Sequence, residues 1–514
     1  MRLGAGIAIP TTLLEQLITE GYLPHDYPVL RMPVRLWLAS SSSSSSSPRR
    51  EEEDAEQPPP EEVVPRVLWA QDLSSSAPLA HDWCNLWSAL KQQLPTTVKF
   101  HMGCKIDTIE LVSPATEPGG GGGVALTIHR KENMTTTTTT TERFDVVFGA
   151  DGYRSLVRQT IAPTITPEYA GYVAWRGNYP LRFLQEAAPD SCPWLLHDDE
   201  GRTDKHTWLT PVYAQGHGIV YLLPPRIHLE HESSSNNSTP DDDGRRVNWV
   251  FYGRAPVSTG RDFTHAQTIP AGAVTDTMYT EFRHLIQDAM LGGGGGSSSD
   301  TKKEAMTTTT TISDIFTITP QCDISIQPVY DVVCPSYVDH PTTKSSSQPQ
   351  AHTPRLVLVG DAGTTARPHT ASGSSKAMQD ALSLQHLGVQ LQKQKQQQQM
   401  EKKLRTNPTT KKDDPDTADE EDDAPVTNTT DIEWSTLLTA YDQDRSAAGK
   451  QLVEMGRKIG YGQVEHCPDW STIHTPQQME AYIKSTLGGN HYFLMKRDSI
   501  AAQRSTTTTT TTSM

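Results

Sequence analysis

Two segments of this chain run an apolar strand into a glycine–aspartate turn and then into a helical pattern. They limit the fold more than anything else in the sequence. The first is FDVVFGADGYRSLVRQ, Phe144 to Gln159; the second is RLVLVGDAGTTARPHTASGSSKAMQDALSL, Arg355 to Leu384. Short, continuously apolar strands are buried on both faces, as in a parallel sheet covered by helices. A chain with two of them is expected to be α/β. Glycine at a strand end lets a backbone approach a ligand closely, and a helix N-terminus beside it favours an anion.

Between the patterned segments lie low-complexity runs: Ser40 to Ser47 with the acidic, proline-rich stretch to Pro60, Gly119 to Gly123, and Thr135 to Thr141. Others are Ser233 to Asp243, the runs from Gly292 and from Thr307, Gln392 to about Thr430, and a terminal threonine run. Such compositions bury too little apolar surface to offset the entropy of ordering them, so they read as loop insertions. Thr12 to Tyr22 and Trp83 to Leu94 carry helical periodicity, while VKFHMGCKIDTIELV and VALTIHR read as strands. From Tyr169 to Phe251 short alternating pieces predict a mostly antiparallel sheet. The expected organisation is an α/β layer over 1–160 and 345–391, interrupted by an antiparallel domain over 161–344. A disordered insertion over 392–430 and C-terminal helices over 431–505 follow.

Charge and cysteine content exclude several function classes. Of 514 residues, 61 are acidic and 45 basic, a net charge of −16, so no nucleic-acid partner is expected, because phosphate binding needs clustered Lys and Arg. The six cysteines form no CxxC pair, which argues against a metal site or disulfide framework and for a reducing, cytoplasmic setting. No apolar run approaches the ~20 residues that span a bilayer, so no membrane partner is expected.

The start, MRLGAGIAIPTT, poses a separate question. Gly4-Ala5-Gly6 has the look of a dinucleotide-binding turn, yet it lacks a preceding strand and a third glycine.

The pair GADGxxSxVR and GDAxxxxRPHxxxGxxKAxxDAL resembles two cofactor motifs of the single-component FAD-dependent aromatic-ring monooxygenases. YAGYVAWRG, RVNWVFYGR and AAGKQLVEMGRKIG are similar to the 2,6-dihydroxypyridine 3-monooxygenase-like branch. The resemblance implies a glutathione-reductase-type FAD/NAD(P)-binding domain interleaved with the antiparallel substrate domain. It implies that NAD(P)H reduces FAD, and that O₂ then gives a hydroperoxide that hydroxylates an electron-rich ring. Asp151 and Gly152, after Gly149, match the motif associated with FAD and nicotinamide access; Gly360 and Asp361 match the pair whose carboxylate holds the ribityl chain; Pro368 and Gly373 match the loop beside the flavin ring. Ala371 stands where a glycine is usual and is expected to strain that loop; Gln379 stands where Glu is common.

By the same resemblance, Gly4, Ala5 and Gly6 are a later element of the FAD domain, and the GxGxxG unit would lie upstream of Met1. His369, beside Pro368, is the candidate catalytic group for a ring proton. Tyr172, Trp175 and Arg176 are candidates to roof a small aromatic substrate, with Arg176 neutralising an anion. Two alternatives stay open: a catalytically silent remnant that binds FAD weakly or not at all, and a flavin oxidase or reductase on the same scaffold.

Overall fold

The computed structural model describes residues 6–39, 65–112, 122–131, 136–189, 195, 205–214, 216–227, 244–290, 312–339, 354–405 and 429–487. Its frame is a ten-stranded, mostly antiparallel sheet. In chain order its first four strands are β1 (Gly6–Ile9), β2 (Leu30–Ala39), β3 (Arg66–Asp72) and β4 (Leu79–Asp82). A separate three-stranded sheet follows, of β5 (Cys104–Val112), β6 (Gly123–Lys131) and β7 (Thr137–Phe144). After β8 (Val147–Gly149), the large sheet resumes with β9 (Glu168–Pro180), β10 (Lys205–Tyr213), β11 (Gly216–Leu223), β12 (Arg246–Gly253) and β13 (Ile324–Val333). It ends on β15 (Thr364–Thr365), and β14 (Leu356–Leu358) pairs in parallel with β8. The large sheet runs β1-β4-β2-β10-β11-β12-β9-β13-β15, with β3 on β2.

Two-residue alternation divides the core. Val173, Trp175, Trp249 and Phe251 point to one face and pack with Phe282 and Phe316 of the helices behind. Tyr172, Ala174, Val250 and Tyr252 point to the other. On the first face Trp249 stacks on Phe282 at 5.4 Å, and each such aromatic contributes on the order of 3 kcal/mol of burial.

The helices obey their sequence signals. Helix α1 (Thr11–Thr19) buries Leu13, Leu14 and Leu17 and stops before Gly21, whose φ is 79°. Helix α2 (Trp83–Gln92) is capped by Asp82, which accepts from the amide of Cys84 at 2.7 Å. Short helices α3 (Leu156–Ile161) and α4 (Leu181–Ala187) follow β8 and β9, and α5 (Asp276–Met290) with α6 (Ile312–Thr317) back the sheet. Two long helices, α7 (Gly373–Arg405) and α8 (Thr429–Gly460), precede a π-helical turn (Tyr461–Glu465) and α9 (Pro476–Leu487).

Three expectations are corrected. The threonine run is not wholly a loop: Thr137–Phe144 is a strand paired with β6. β-branched side chains suit a strand even on an exposed edge, where no core is needed. The Gln/Lys tract continues α7 to Arg405 instead of starting an insertion at 392, because Gln, Lys and Met are good helix formers extending an established helix. The boundary at 160 is crossed by the large sheet: β2 pairs in parallel with β10, so residues before 83 share one sheet with those after 167.

Candidate active site

The parallel pair β8–β14 sets the two glycine–aspartate turns side by side, with Gly149 opposite Leu358 and the amide of Val359 donating to the carbonyl of Gly149 at 2.9 Å. After β8, Asp151 accepts from the amide of Leu156 at 2.7 Å and Ser155 from that of Arg158 at 2.9 Å, so both side chains cap α3. Arg158 is fully buried, and its Nη1 donates across to the carbonyl of Ala362 at 2.9 Å. Burial holds its guanidinium below the ordinary arginine value.

After β14, Gly360 takes a φ of 61°, a left-handed conformation that suits glycine. Its amide donates to Asp380 at 2.9 Å, and its carbonyl accepts from Lys376 Nζ at 2.9 Å. Lys376 also donates to Asp380 at 2.7 Å, and Arg445 donates to Asp380 at 2.6 Å. Burial pulls the Lys376 ammonium down, but Tyr337 and Asp380 outweigh it and hold it above its ordinary value. This buried triad clamps the turn and leaves Asp361 at the cleft, still reached by solvent. The protein packed around Asp361 raises its carboxyl; Lys376 opposes that and Asp380 adds to it.

Arg367 and Arg457 both pair with the buried Asp331 on β13, fixing the start of the next loop. That loop makes a 3₁₀ turn over Pro368–Thr370, passes through Ala371 with φ 51°, and enters α7 at Gly373. Ala371 is the one non-glycine residue with positive φ among the described residues, which is the strain expected of it.

Between this loop and one face of the large sheet lies a cleft of about 280 Å³. Asp361, Pro368 and Gly373 line it from the loop side. Gly6, Arg176, Trp208, Tyr221, Asn248, Tyr252 and Tyr330 line it from the sheet side.

The structure brings Gly6, Asp361, Pro368, Gly373 and Arg176 to one cleft. Gly149, Asp151, Gly152 and Gly360 shape the turns without lining the cleft. Gly4 and Ala5 lie outside the described residues.

Trp175 is corrected: it is 1 % exposed on the opposite face, 5.0 Å from the Phe282 ring, because strand alternation sends it away from Arg176. Tyr172 is on the cleft side of the sheet but buried, its hydroxyl 2.6 Å from His369 Nε2. His369 is not part of the cleft lining. Its ring packs behind the loop, 4.3 Å from Tyr252 and 5.1 Å from His217. Burial, then His217 and Arg367, hold it well below the usual histidine range, so it is a neutral imidazole.

The sequence reading missed Asn248, Tyr221, Tyr252 and Trp208, and the Lys376–Asp380–Arg445 triad. The alternation of RVNWVFYGR, which puts Asn248, Val250 and Tyr252 on one face, is the signal that finds the first group.

This architecture is shared with solved structures of other proteins. The structure of 2,6-dihydroxypyridine-3-hydroxylase from Arthrobacter nicotinovorans superposes with a TM-score of 0.55 at 14 % identity, covering 92 % of this chain and 87 % of that one. The structure of CtdE in complex with FAD and a substrate gives a TM-score of 0.52 at 12 % identity over 95 % of this chain and 90 % of that one. In sequence, the chain is similar to the 2,6-dihydroxypyridine 3-monooxygenase of Paenarthrobacter nicotinovorans, 28 % identical over 244 residues. The match spans 46 % of this chain and 47 % of that enzyme, so just under half of the relative's length is covered. No protein-family model matches. Among the described residues no helix is long and apolar enough to cross a membrane, and no group of acidic, His or Cys side chains could hold a metal ion.

Proposed function

We propose that this chain is an FAD-dependent monooxygenase that hydroxylates a small, electron-rich aromatic or hydroxypyridine-like ring with NAD(P)H and O₂. The observation that carries the reading is the cleft itself, where the loop bearing Asp361, Pro368 and Gly373 faces a cationic and aromatic sheet surface. The sequence similarity to a dihydroxypyridine monooxygenase supports the same chemistry, and the fold shared with a structure solved in complex with FAD is consistent with it.

The residues present fit the ring and ribityl end of FAD. Asp361 offers a solvent-reached carboxylate at the end of β14, and at Gly373 a Cβ would meet only that carboxylate, at 3.9 Å. The backbone is thus open to close approach at the N-terminus of α7, where the helix favours negative charge. Asp361 would hold ribityl hydroxyls, and the amides from Gly373 onward would face the ring's polar edge. Bound FAD would supply the exchange of electrons between NAD(P)H and O₂ that the chain's own side chains cannot perform.

The chain's part is positioning. Arg176 lies on the cleft with no carboxylate in ion-pair distance among the described residues, so it is available to an anionic ring. Tyr221, Tyr252 and Trp208 give flat walls that exclude water. The Tyr252 phenol, pushed up to about 12 by burial against the pull of Arg176, stays protonated at neutral pH and can donate to the substrate. His369 serves by holding Tyr172 and the Pro368–Thr370 turn in place.

Titration of the purified chain with FAD is expected to give a saturable, protein-bound visible absorbance. NADH oxidation by the loaded protein should yield a hydroxylated ring in step with a ring substrate. No FAD uptake would overturn the reading in favour of a silent remnant. Peroxide as the sole product with every ring tested would overturn it in favour of an oxidase.

A further inference from the structure

The sheet wall of the cleft is rich in hydrogen-bond donors, and one of them is oriented by a residue 242 positions away. Asn248 on β12 sits opposite Tyr221 of β11, and two residues on Val250 sits opposite Arg176 of β9, so all four side chains share one face. Asn248 Oδ1 accepts from the backbone amide of Gly6 at 2.9 Å. An amide N–H only donates, so this bond assigns the side chain: oxygen toward β1, and Nδ2 left as the group offered to the cleft. Among the described residues no acceptor pairs with that Nδ2.

The contact is tight. A Cβ on Gly6 would lie 2.7 Å from Cγ and Nδ2 of Asn248 and 2.6 Å from Tyr221 Oη. Only a glycine at position 6 lets β1 come near enough to make the bond.

The neighbours have the same polarity. Arg176 Nε and Trp208 Nε1 are both buried without a partner, and Trp208 is 9 % exposed. Among the described residues, the one acidic side chain lining the cleft, Asp361, belongs to the loop side. A wall of unpaired donors is complementary to a ligand that presents acceptors.

We propose that Asn248 is a specificity-determining residue and Gly6 its positioning residue. Asn248 Nδ2 donates to an oxo or oxyanion acceptor on the ring substrate, while Arg176 takes the substrate's negative charge. A ring with an amino group at that position sets donor against donor and is rejected. The assignment rests on reading this cleft as the ring site, and its test does not depend on turnover.

The probes are 3-formylbenzoate and 3-aminobenzoate, which share the carboxylate and differ in acceptor or donor at one position. Binding to the full chain is measured by calorimetry, with and without FAD. The wild type should prefer the formyl compound by on the order of tenfold or more. Asn248→Asp keeps the shape and the bond to Gly6 but turns an acceptor to the cleft, and should reverse the preference. Asn248→Leu should abolish it, and serves if the Asp variant does not fold. Arg176→Gln should weaken both ligands together and leave their ratio intact. An unchanged ratio in Asn248→Asp and Asn248→Leu overturns the proposal, as does failure of the wild type to bind either benzoate at millimolar concentration. The separate FAD titration keeps the two readings apart: reversal without FAD uptake upholds Asn248 and removes the flavin chemistry, and FAD uptake with an unchanged ratio does the opposite.

Discussion

Arg158 donates through Nη1 to the carbonyl of Ala362 at 2.9 Å, a side-chain bond between the two glycine–aspartate turns on which the site is built. Its Nη2 reaches the carbonyl of Tyr153, so a single buried cation holds the residue after Asp151-Gly152 and the residue after Gly360-Asp361. The relative height of the two turns therefore depends on a side chain that does not itself line the cleft.

Arg158→Met keeps much of the volume and removes both donors. The buried carbonyl of Ala362 and the part-buried one of Tyr153 lose their partner, which should cost about 1–3 kcal/mol of stability, read by urea unfolding. FAD affinity should fall at least tenfold in a fluorescence titration, because Asp361 moves with Ala362. Unaltered affinity together with lowered stability would show that the coupling does not reach the cofactor end of the cleft.

Asp380→Asn tests the triad beneath Gly360. Asp380 is fully buried and accepts from Gly360, Lys376 and Arg445. Removing its charge leaves the buried Lys376 without a carboxylate and Arg445 with only the exposed Asp444 at 3.4 Å, a loss of about 3–5 kcal/mol. The double variant Asp380→Asn, Lys376→Met should recover part of it, since one stranded cation is gone. A double variant less stable than the single would mean that Lys376 supports the turn chiefly through the carbonyl of Gly360.

The parts of this site that sequence makes legible are those set by local backbone. Gly149 and Gly360 end apolar strands, and their turns follow from the strand–glycine–aspartate order alone. The strain at Ala371 is visible for the same reason, as a side chain where the motif asks for glycine. Facing is less legible. Alternation separates Trp175 from Arg176, but which face meets the cleft depends on the loop from Asp361 to Gly373, packed there from far along the chain. Partnerships across long separations are not legible at all: Lys376 and Asp380 share a helix face at i,i+4, yet Arg445 completes them from 65 residues on, and Gly6 reaches Asn248 across 242. The domain boundary at 160 fails for a related reason, since β2 takes β10 as its parallel partner from the far side of that boundary, with strands β3 to β9 between them in the chain.

Three buried histidines predict acid sensitivity. Burial, then Arg35, hold His217 down to about 3; burial holds His81 to about 4 although Asp82 pulls it upward; His369 also lies well below 6.5. All are neutral in the folded chain, so as pH falls the unfolded chain takes up protons first. Their contribution is present above pH 6.5 and is lost toward the folded values near 4 and 3. The slope approaches about 1.4 kcal/mol per pH unit for each group, or about 2 kcal/mol each for His217 and His81 between pH 6.5 and 4.5. Urea midpoints measured over that window should fall steadily, and His217→Gln should make the decline about a third shallower. A flat profile would mean that these imidazoles become charged in the folded state.

Ala371 offers the opposite test, a place where the chain is less stable than it could be. Its φ of 51° costs an alanine about 1–2 kcal/mol, whereas a glycine there avoids that cost but loses about 0.5–1 kcal/mol through its greater freedom when unfolded. Ala371→Gly should therefore stabilise by up to about 1 kcal/mol, a rise of about 2 °C in Tm for a chain of this size. Ala371→Val, β-branched at positive φ, should lower Tm by more than that. Because Ala371 lines the cleft and is wedged against the cluster containing Tyr172 and Tyr252, the two substitutions also change the room beside the loop, in opposite directions. A larger ring should gain affinity in Ala371→Gly and lose it in Ala371→Val. If stability shifts as stated while ring affinity does not, the methyl group of Ala371 strains the loop without contributing to the shape of the site.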